Sequence, residues 1–188
     1  NKFNAALHSI PKRGRLYTSS LLKNYGGRKA SGEYIIFCDV DVITTSNVFE
    51  ELKKAFSKHP KAFVVGRVYL DKAKRPENFY NSIKDNELRE IVIKEKLEFR
   101  PRSFGGFVAV DREWLYESRG FDEGYIHWGA EDDDFRFRSV FIKKKKLIFL
   151  DHFGYVSWNE SAKFSTVDTL YPSDVVLLHQ WHVKRTEI

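Results

Sequence analysis

The chain has 188 residues, 42% of them hydrophobic and 15% aromatic, with a formal net charge of +6. That is enough apolar material for one core, and a single domain over residues 1–188 is the expectation at this length. A single cysteine, Cys38, excludes an internal disulfide framework and a cysteine-rich zinc site, and no apolar stretch approaches the ~20 residues that span a bilayer.

The positive balance suits anionic partners such as nucleotides, phosphorylated lipids or an anionic membrane. It is spread along the chain, with one dense run at Lys143-Lys144-Lys145-Lys146. Such a run is usually a solvated helix end or loop, and no nucleic-acid motif surrounds it. Cys38 sits in an apolar run and reads as a small buried hydrophobe, in keeping with a reducing compartment. With no signal peptide visible, the expected location is cytoplasmic, with peripheral membrane contact allowed. The chain starts at Asn1 and has no Met, so it is expected to be part of a longer protein.

Residues 1–17 are basic and irregular in pattern. Ser19 to Ala30 has helical apolar spacing at Leu21 and Leu22, weakened by Gly26 and Gly27. Tyr34 to Cys38 is a continuous apolar run, the pattern of a strand buried on both faces. Thr44, Thr45 and Ser46 offer caps for a helix from Val48 to His59, stopped by Pro60. Ala62 to Leu70 reads as one strand and Pro76 to Leu97 as mostly helical. Phe104 to Val110 is a strand opened by glycines, and Arg112 to Arg119 a short helix before the turn Gly120-Phe121-Asp122. Glu131 to Lys143 is a helix that begins on acids. Leu147–Leu150 and Val175–Leu178 are late strands. Strands alternating with helices predict an α/β layer fold.

Three segments carry chemistry. Asp39-Val40-Asp41 follows a buried strand, and in open α/β sheets ligands bind beyond the carboxyl ends of strands. Paired carboxylates there suit a hard divalent cation, Mn²⁺ or Mg²⁺, that would bridge to a diphosphate. The plain alternative is an Asp turn or helix cap. Trp128-Gly129-Ala130-Glu131-Asp132-Asp133-Asp134 reads either as an ordinary acidic helix start or as a ledge for a sugar ring beside a general base. Crowding among those acids is expected to raise one of their pKa values. His179-Gln180-Trp181-His182 offers imidazoles for the same cation, or is a packed or surface pair. His152 is held in reserve, and His127 only precedes Trp128.

Taken together these segments resemble the GT-A glycosyltransferases, nearest the beta-1,4-galactosyltransferase type and bacterial family 2 enzymes. The residues that carry the resemblance are Asn24 to Asp41, Phe104 to Val110 with Arg119 to Glu123, and Trp128 to Arg138. The resemblance implies a GT-A type mixed sheet flanked by helices, whose first, base-binding strands precede residue 1. It implies transfer of a sugar from a nucleoside-diphosphate sugar, with UDP favoured, to a hydroxyl of a glycan or lipid-linked glycan, in polysaccharide or glycoconjugate synthesis. Inversion is favoured, because related retaining enzymes tend to carry Glu-Asn where Glu131-Asp132 stands. The roles implied are Asp132 as base and Asp41 with His182 or His179 as metal ligands. Asp39, Gly105, Gly106, Trp128, Glu131 and Asp133 are implied in substrate binding. Ala130 stands where the family has a second glycine, and Lys23 where an arginine is frequent. The competing reading is a non-catalytic nucleotide-sugar or metal-binding module of the same fold.

Overall fold

A computed structural model describes residues 6–9, 18–76, 78–97, 105–126, 129–151, 169–172 and 174–180. The first helix, α1 (Ser19–Lys29), is capped by Thr18, whose hydroxyl accepts from the Leu21 amide at 3.2 Å. It leads into β1 (Tyr34–Cys38), which turns through the aspartates into β2 (Val42–Thr44). Helix α2 (Val48–Lys58) follows, with Val48, Leu52, Ala55 and Phe56 buried on one face. Its cap is Asn47 rather than the hydroxyls before it. The Thr45 hydroxyl is engaged by the Val176 amide at 3.1 Å, and the Ser46 hydroxyl donates to Asp85 at 2.6 Å.

The stretch read as one strand from Ala62 to Leu70 is two, β3 (Phe63–Val65) and β4 (Tyr69–Leu70), and they lie in different sheets. Gly66 marks the break, since a side chain there would strike Leu177 and press on Phe107. A 3₁₀ turn (Phe79–Asn81) and α3 (Asp85–Lys94) fill the next segment. Then come β5 (Phe107–Asp111), α4 (Arg112–Glu117) and α5 (Glu131–Phe137), which continues into a π-type turn at Arg138–Ile142. Strands β6 (Leu147–Asp151), β7 (Thr169–Pro172) and β8 (Leu177–His179) complete the described chain.

The main sheet has the order β1-β5-β3-β6-β7. Strand β5 is antiparallel to both β1 and β3, while β6 runs parallel to β3 and to β7. Period-2 alternation divides its side chains between two faces. Phe63, Val65, Val108, Val110, Leu147 and Phe149 join one core with Trp114, Phe121 and Phe135. Val64, Phe107, Ala109, Ile148 and Leu150 join a second core with α2. Covered on both faces, the mixed sheet flanked by helices is the GT-A type arrangement expected of the sequence.

Strand β1 departs from that expectation. Among the described residues it is the end of the sheet, its burial alternates, and Cys38 is exposed. An apolar run records the taste of the side chains, not whether a neighbour lies beside the strand. A second, small sheet, β2-β8-β4, sits where β1 and β3 finish, because β2 and β4 are the continuations of those strands.

Candidate active site

Strand β1 ends with the Asp39 amide donating to the Gly106 carbonyl at 3.0 Å, and the Val42 amide donates back to the Asp39 carbonyl at 3.2 Å. This turn aims both aspartates beyond the carboxyl end of the strand. Pairing of β2 with β8 sets His179 opposite Val42, and the Gln180 amide donates to the Asp41 carbonyl at 2.9 Å. The result is a side-chain pair, His179 Nε2 to Asp41 Oδ2 at 3.2 Å, with both groups partly open to solvent. An oxygen and an imidazole nitrogen side by side are the donor types that suit Mn²⁺. Among the described residues no third His, Cys, Asp or Glu completes a cluster able to hold a metal by itself. His182 and the reserve His152 lie outside the described residues.

Asp132 arrives from the other side, in the first turn of α5. A β-carbon on Gly105 would strike its carboxylate, so this glycine makes room for the acid whatever else it does. One on Gly106 would lie 3.6 Å from Asp39 Oδ2 and 3.1 Å from Val68. Consecutive glycines at the start of β5 therefore hold Asp132 and Asp39 as near neighbours. Lys23 of α1 clamps the arrangement. Its ammonium is 2.5 Å from Asp132 Oδ1, 3.4 Å from Glu131 Oε1 and 5.0 Å from the Phe121 ring centre.

Burial raises the Asp132 carboxyl above the usual carboxylate range, against the pull of Lys23 and with help from Glu131 and Asp133. Burial likewise raises Asp39, Lys23 and His179 opposing and Asp41 and Asp132 adding. These mutual influences place Asp39, Asp41, Asp132, Lys23 and His179 in one electrostatic neighbourhood. A cavity of about 840 Å³ opens from it, lined by Lys23, the glycines of α1, β1 and Asp39 to Asp41. Burial of its sulfur in this groove, with the charges of Asp39 and Asp41 adding, pushes the Cys38 thiol up to about 11. Although it touches solvent it remains a protonated thiol, not a reactive thiolate.

Glu131 is 4% exposed. Burial pushes its carboxyl up, but its own backbone amide, Lys23 and Ser19 outweigh that and hold it low. It faces α1 more than solvent. Asp133 is exposed and pairs with Arg136 at 3.0 Å. Trp128 and His127 lie outside the described residues.

Sequence reading missed two residues. Lys23 looked like a simple departure at a position next to Asn24, and only the fold shows that it meets the acids. Asn24 is the other. Its amide donates to the Phe121 carbonyl at 2.8 Å and to Glu123 at 2.9 Å, and its oxygen accepts from the Phe121 amide at 2.8 Å. The signal available was the co-occurrence of Asn24 with Gly120-Phe121-Asp122.

The family described as glycosyltransferase like family 2 matches residues 3–153, most of the chain. The chain belongs to that family. It is 24% identical over 152 residues to chondroitin synthase of Escherichia coli, covering 65% of this chain and 22% of that protein. It is 30% identical over 138 residues to human beta-1,4-galactosyltransferase 4, covering 71% of this chain and 32% of that one. The rat beta-1,4-galactosyltransferase 4 is 36% identical over 75 residues, 37% of this chain and 22% of its own length. The chain thus spans less than a third of the length of these relatives.

Within this glycosyltransferase domain the approach to α5 is strained. Gly129 has φ +99 and Ala130, its N-cap, φ +71. An alanine in the left-handed region costs about 1 kcal/mol or more, which explains why glycine suits this position in the resembling enzymes. Ala130→Gly is expected to raise stability by about 1 kcal/mol. A urea titration in which this variant unfolds earlier than the parent would contradict the strain.

Proposed function

We propose that this family 2 glycosyltransferase domain transfers a sugar from a nucleoside-diphosphate sugar, UDP-sugar favoured, to a hydroxyl of a glycan acceptor with inversion. The single observation that carries this is the meeting of Asp132, crowded and with its carboxyl raised, with the Asp39–Asp41 turn at one mouth of the sheet. Asp132 takes the proton of the acceptor hydroxyl as the acceptor oxygen bonds to the anomeric carbon. The bond from that carbon to the diphosphate breaks, and the electron pair leaves with the diphosphate.

Asp41 and His179, with His182 as a further candidate, would hold a divalent cation, Mn²⁺ or Mg²⁺. When bound, the cation supplies charge neutralisation for the leaving diphosphate. Asp39 faces the donor beside Gly106. Gly105 leaves the space that the Asp132 carboxylate occupies. Lys23 favours the ionised, proton-accepting form of that carboxylate. Glu131 and Asp133 flank the base, and Trp128 is assigned the acceptor ledge. A glycan or lipid-linked glycan acceptor follows from the resemblance, as does a role in polysaccharide or glycoconjugate synthesis. Among the described residues no strand pairs with the outer edge of β1, and this edge with the groove beside it supports the expected base-binding strands docking there. No helix among the described residues is long and apolar enough to cross a membrane.

Calorimetry with Mn²⁺ and uridine diphosphate, alongside donor-hydrolysis and transfer assays on the longest available protein, tests this reading. Asp41→Asn and His179→Ala are each expected to weaken Mn²⁺ binding by more than the ~10-fold that loss of an outer-shell partner costs. Unchanged Mn²⁺ affinity in both would remove the cation site. Binding with neither hydrolysis nor transfer, across a donor screen, would favour the non-catalytic module instead.

A further inference from the structure

The lysine run Lys143–Lys146 does not stand alone. It closes a groove of about 550 Å³ whose other walls are the end of α2 with the turn after it, Lys58 to Ala62, and Trp114 and Glu117 of α4. The run is held in place. The Lys143 amide donates to Arg138 at 3.1 Å and the Lys145 amide to Ser139 at 3.0 Å. The Lys145 ammonium is the pin, 2.7 Å from Asp111 Oδ2 and 5.2 Å from the centre of Trp114. Lys61 is paired with Glu113 and Asp111. Lys143, Lys144 and Lys146 have no ion-pair partner among the described residues. After burial, the field of Lys146 and Lys58 lowers the His59 imidazole, a local sign of excess positive potential.

Two further observations narrow the partner. Ile142, next to Lys143 in the chain, is 59% exposed. A branched aliphatic side chain beside lysines suits a surface that offers anionic headgroups over hydrocarbon. A purely ionic polyanion has no use for it. The groove also lies at the end of the sheet where β3 and β6 begin. Both β1 and β3 run antiparallel to β5, so the aspartates at the end of β1 lie at the opposite pole. A protein seated on lysines at one pole turns its acidic mouth away from an anionic surface, with no electrostatic conflict.

We propose that the face formed by Lys143, Lys144, Lys146 and Ile142 around this groove is a docking surface for an anionic phospholipid bilayer. Each lysine near an anionic leaflet contributes about a fivefold factor in partitioning, so several together with modest apolar insertion give reversible attachment. This surface is independent of the sugar-transfer reading and survives its failure.

The test is flotation of the protein with vesicles of phosphatidylcholine mixed with phosphatidylglycerol, and with vesicles of phosphatidylcholine alone. The parent is expected to float with the mixed vesicles only, and less as salt rises. Lys143→Glu/Lys144→Glu/Lys146→Glu is expected to lower partitioning by about 100-fold or more, with an unchanged melting temperature. The milder Lys143→Gln/Lys144→Gln variant serves if the triple variant does not fold, with a loss of about 25-fold expected. Lys53→Glu/Lys94→Glu/Lys96→Glu, equal in charge and outside the groove, is the control. The proposal is overturned if the parent ignores the mixed vesicles or floats equally with phosphatidylcholine, or if the control loses as much binding as the groove variant. Binding to the groove that soluble glycerol phosphate displaces as readily as vesicles do would assign it to a free phosphate and equally overturn the bilayer.

Discussion

Asp132→Asn is expected to slow sugar transfer by about 10²–10⁴-fold, the range that a positioned general base contributes, while leaving the fold intact or firmer. The second half of this expectation separates a chemical role from a structural one. The Asp132 carboxyl is raised in the folded protein, by burial first and then by Glu131 and Asp133, with Lys23 opposing. In the unfolded chain it titrates near ~3.9. Between those two values the folded protein holds a proton that the unfolded chain has released, so stability falls as pH rises through the window. Below the unfolded value the group is protonated in both states and costs nothing. Asparagine does not titrate. The variant is thus expected to melt no lower than the parent at neutral pH, with its advantage shrinking to nothing as pH drops toward ~4. Transfer within a few-fold of the parent would remove Asp132 as the base. A melting temperature several degrees below the parent at neutral pH would show instead that the acid holds the fold together.

Asn24→Ala has the largest expected effect on stability. Asn24 is 4% and Phe121 2% exposed, and the asparagine side chain satisfies both the amide and the carbonyl of Phe121. Truncation leaves two buried backbone groups unpaired, at roughly 1–3 kcal/mol each. A net loss of about 3 kcal/mol lowers the melting temperature by roughly 6–12 °C in a domain of this size. The turn has no easy substitute. Gly120 has φ +71, and a β-carbon on it would strike the Asn24 oxygen, so the two residues must be read together. Asn24→Asp tests the geometry more finely. It keeps an acceptor for the Phe121 amide but loses the donor and faces Glu123, so it is expected to fall between parent and alanine at low pH and near alanine at neutral pH. A melt of Asn24→Ala within a degree or two of the parent would refute the bridge. Activity is expected to fall as well, because Phe121 packs on Phe37 and Phe135 and carries Lys23 over its ring.

Much of the main sheet was legible in the sequence because its strands bury both faces and so declare themselves as apolar runs. Phe107 to Val110 and Leu147 to Leu150 are of this kind. The small sheet was not, since β2 and β4 have 3 and 2 residues, too few to show a period. The exposure of Cys38 was likewise beyond reach, because an edge is defined by what is absent beside it. Among the site residues, carboxylates at a strand end and at a helix start announce themselves by type and place. The contacts that discipline them do not. Lys23 meets Asp132, and Asn24 meets Phe121, across about a hundred residues of chain, and nothing local marks either lysine or asparagine as the partner. Glu131 illustrates the converse. Three neighbouring acids look equivalent in a string of letters, yet helical geometry turns Glu131 inward, leaves Asp133 in solvent and puts Asp132 between.

The small sheet also sets an order in time. Asp41 gains His179 only through β8, which is made long after β1, and pairings between distant segments form slowly. On the ribosome the amino-terminal strands can therefore fold while residues 177–180 are still inside the exit tunnel. A nascent chain stopped before that point carries both aspartates and the acid opposite them, yet lacks the imidazole. Within this chain the Asp41–His179 pair is thus among the later long-range contacts to become possible, and a chain ended before β8 isolates what that imidazole contributes.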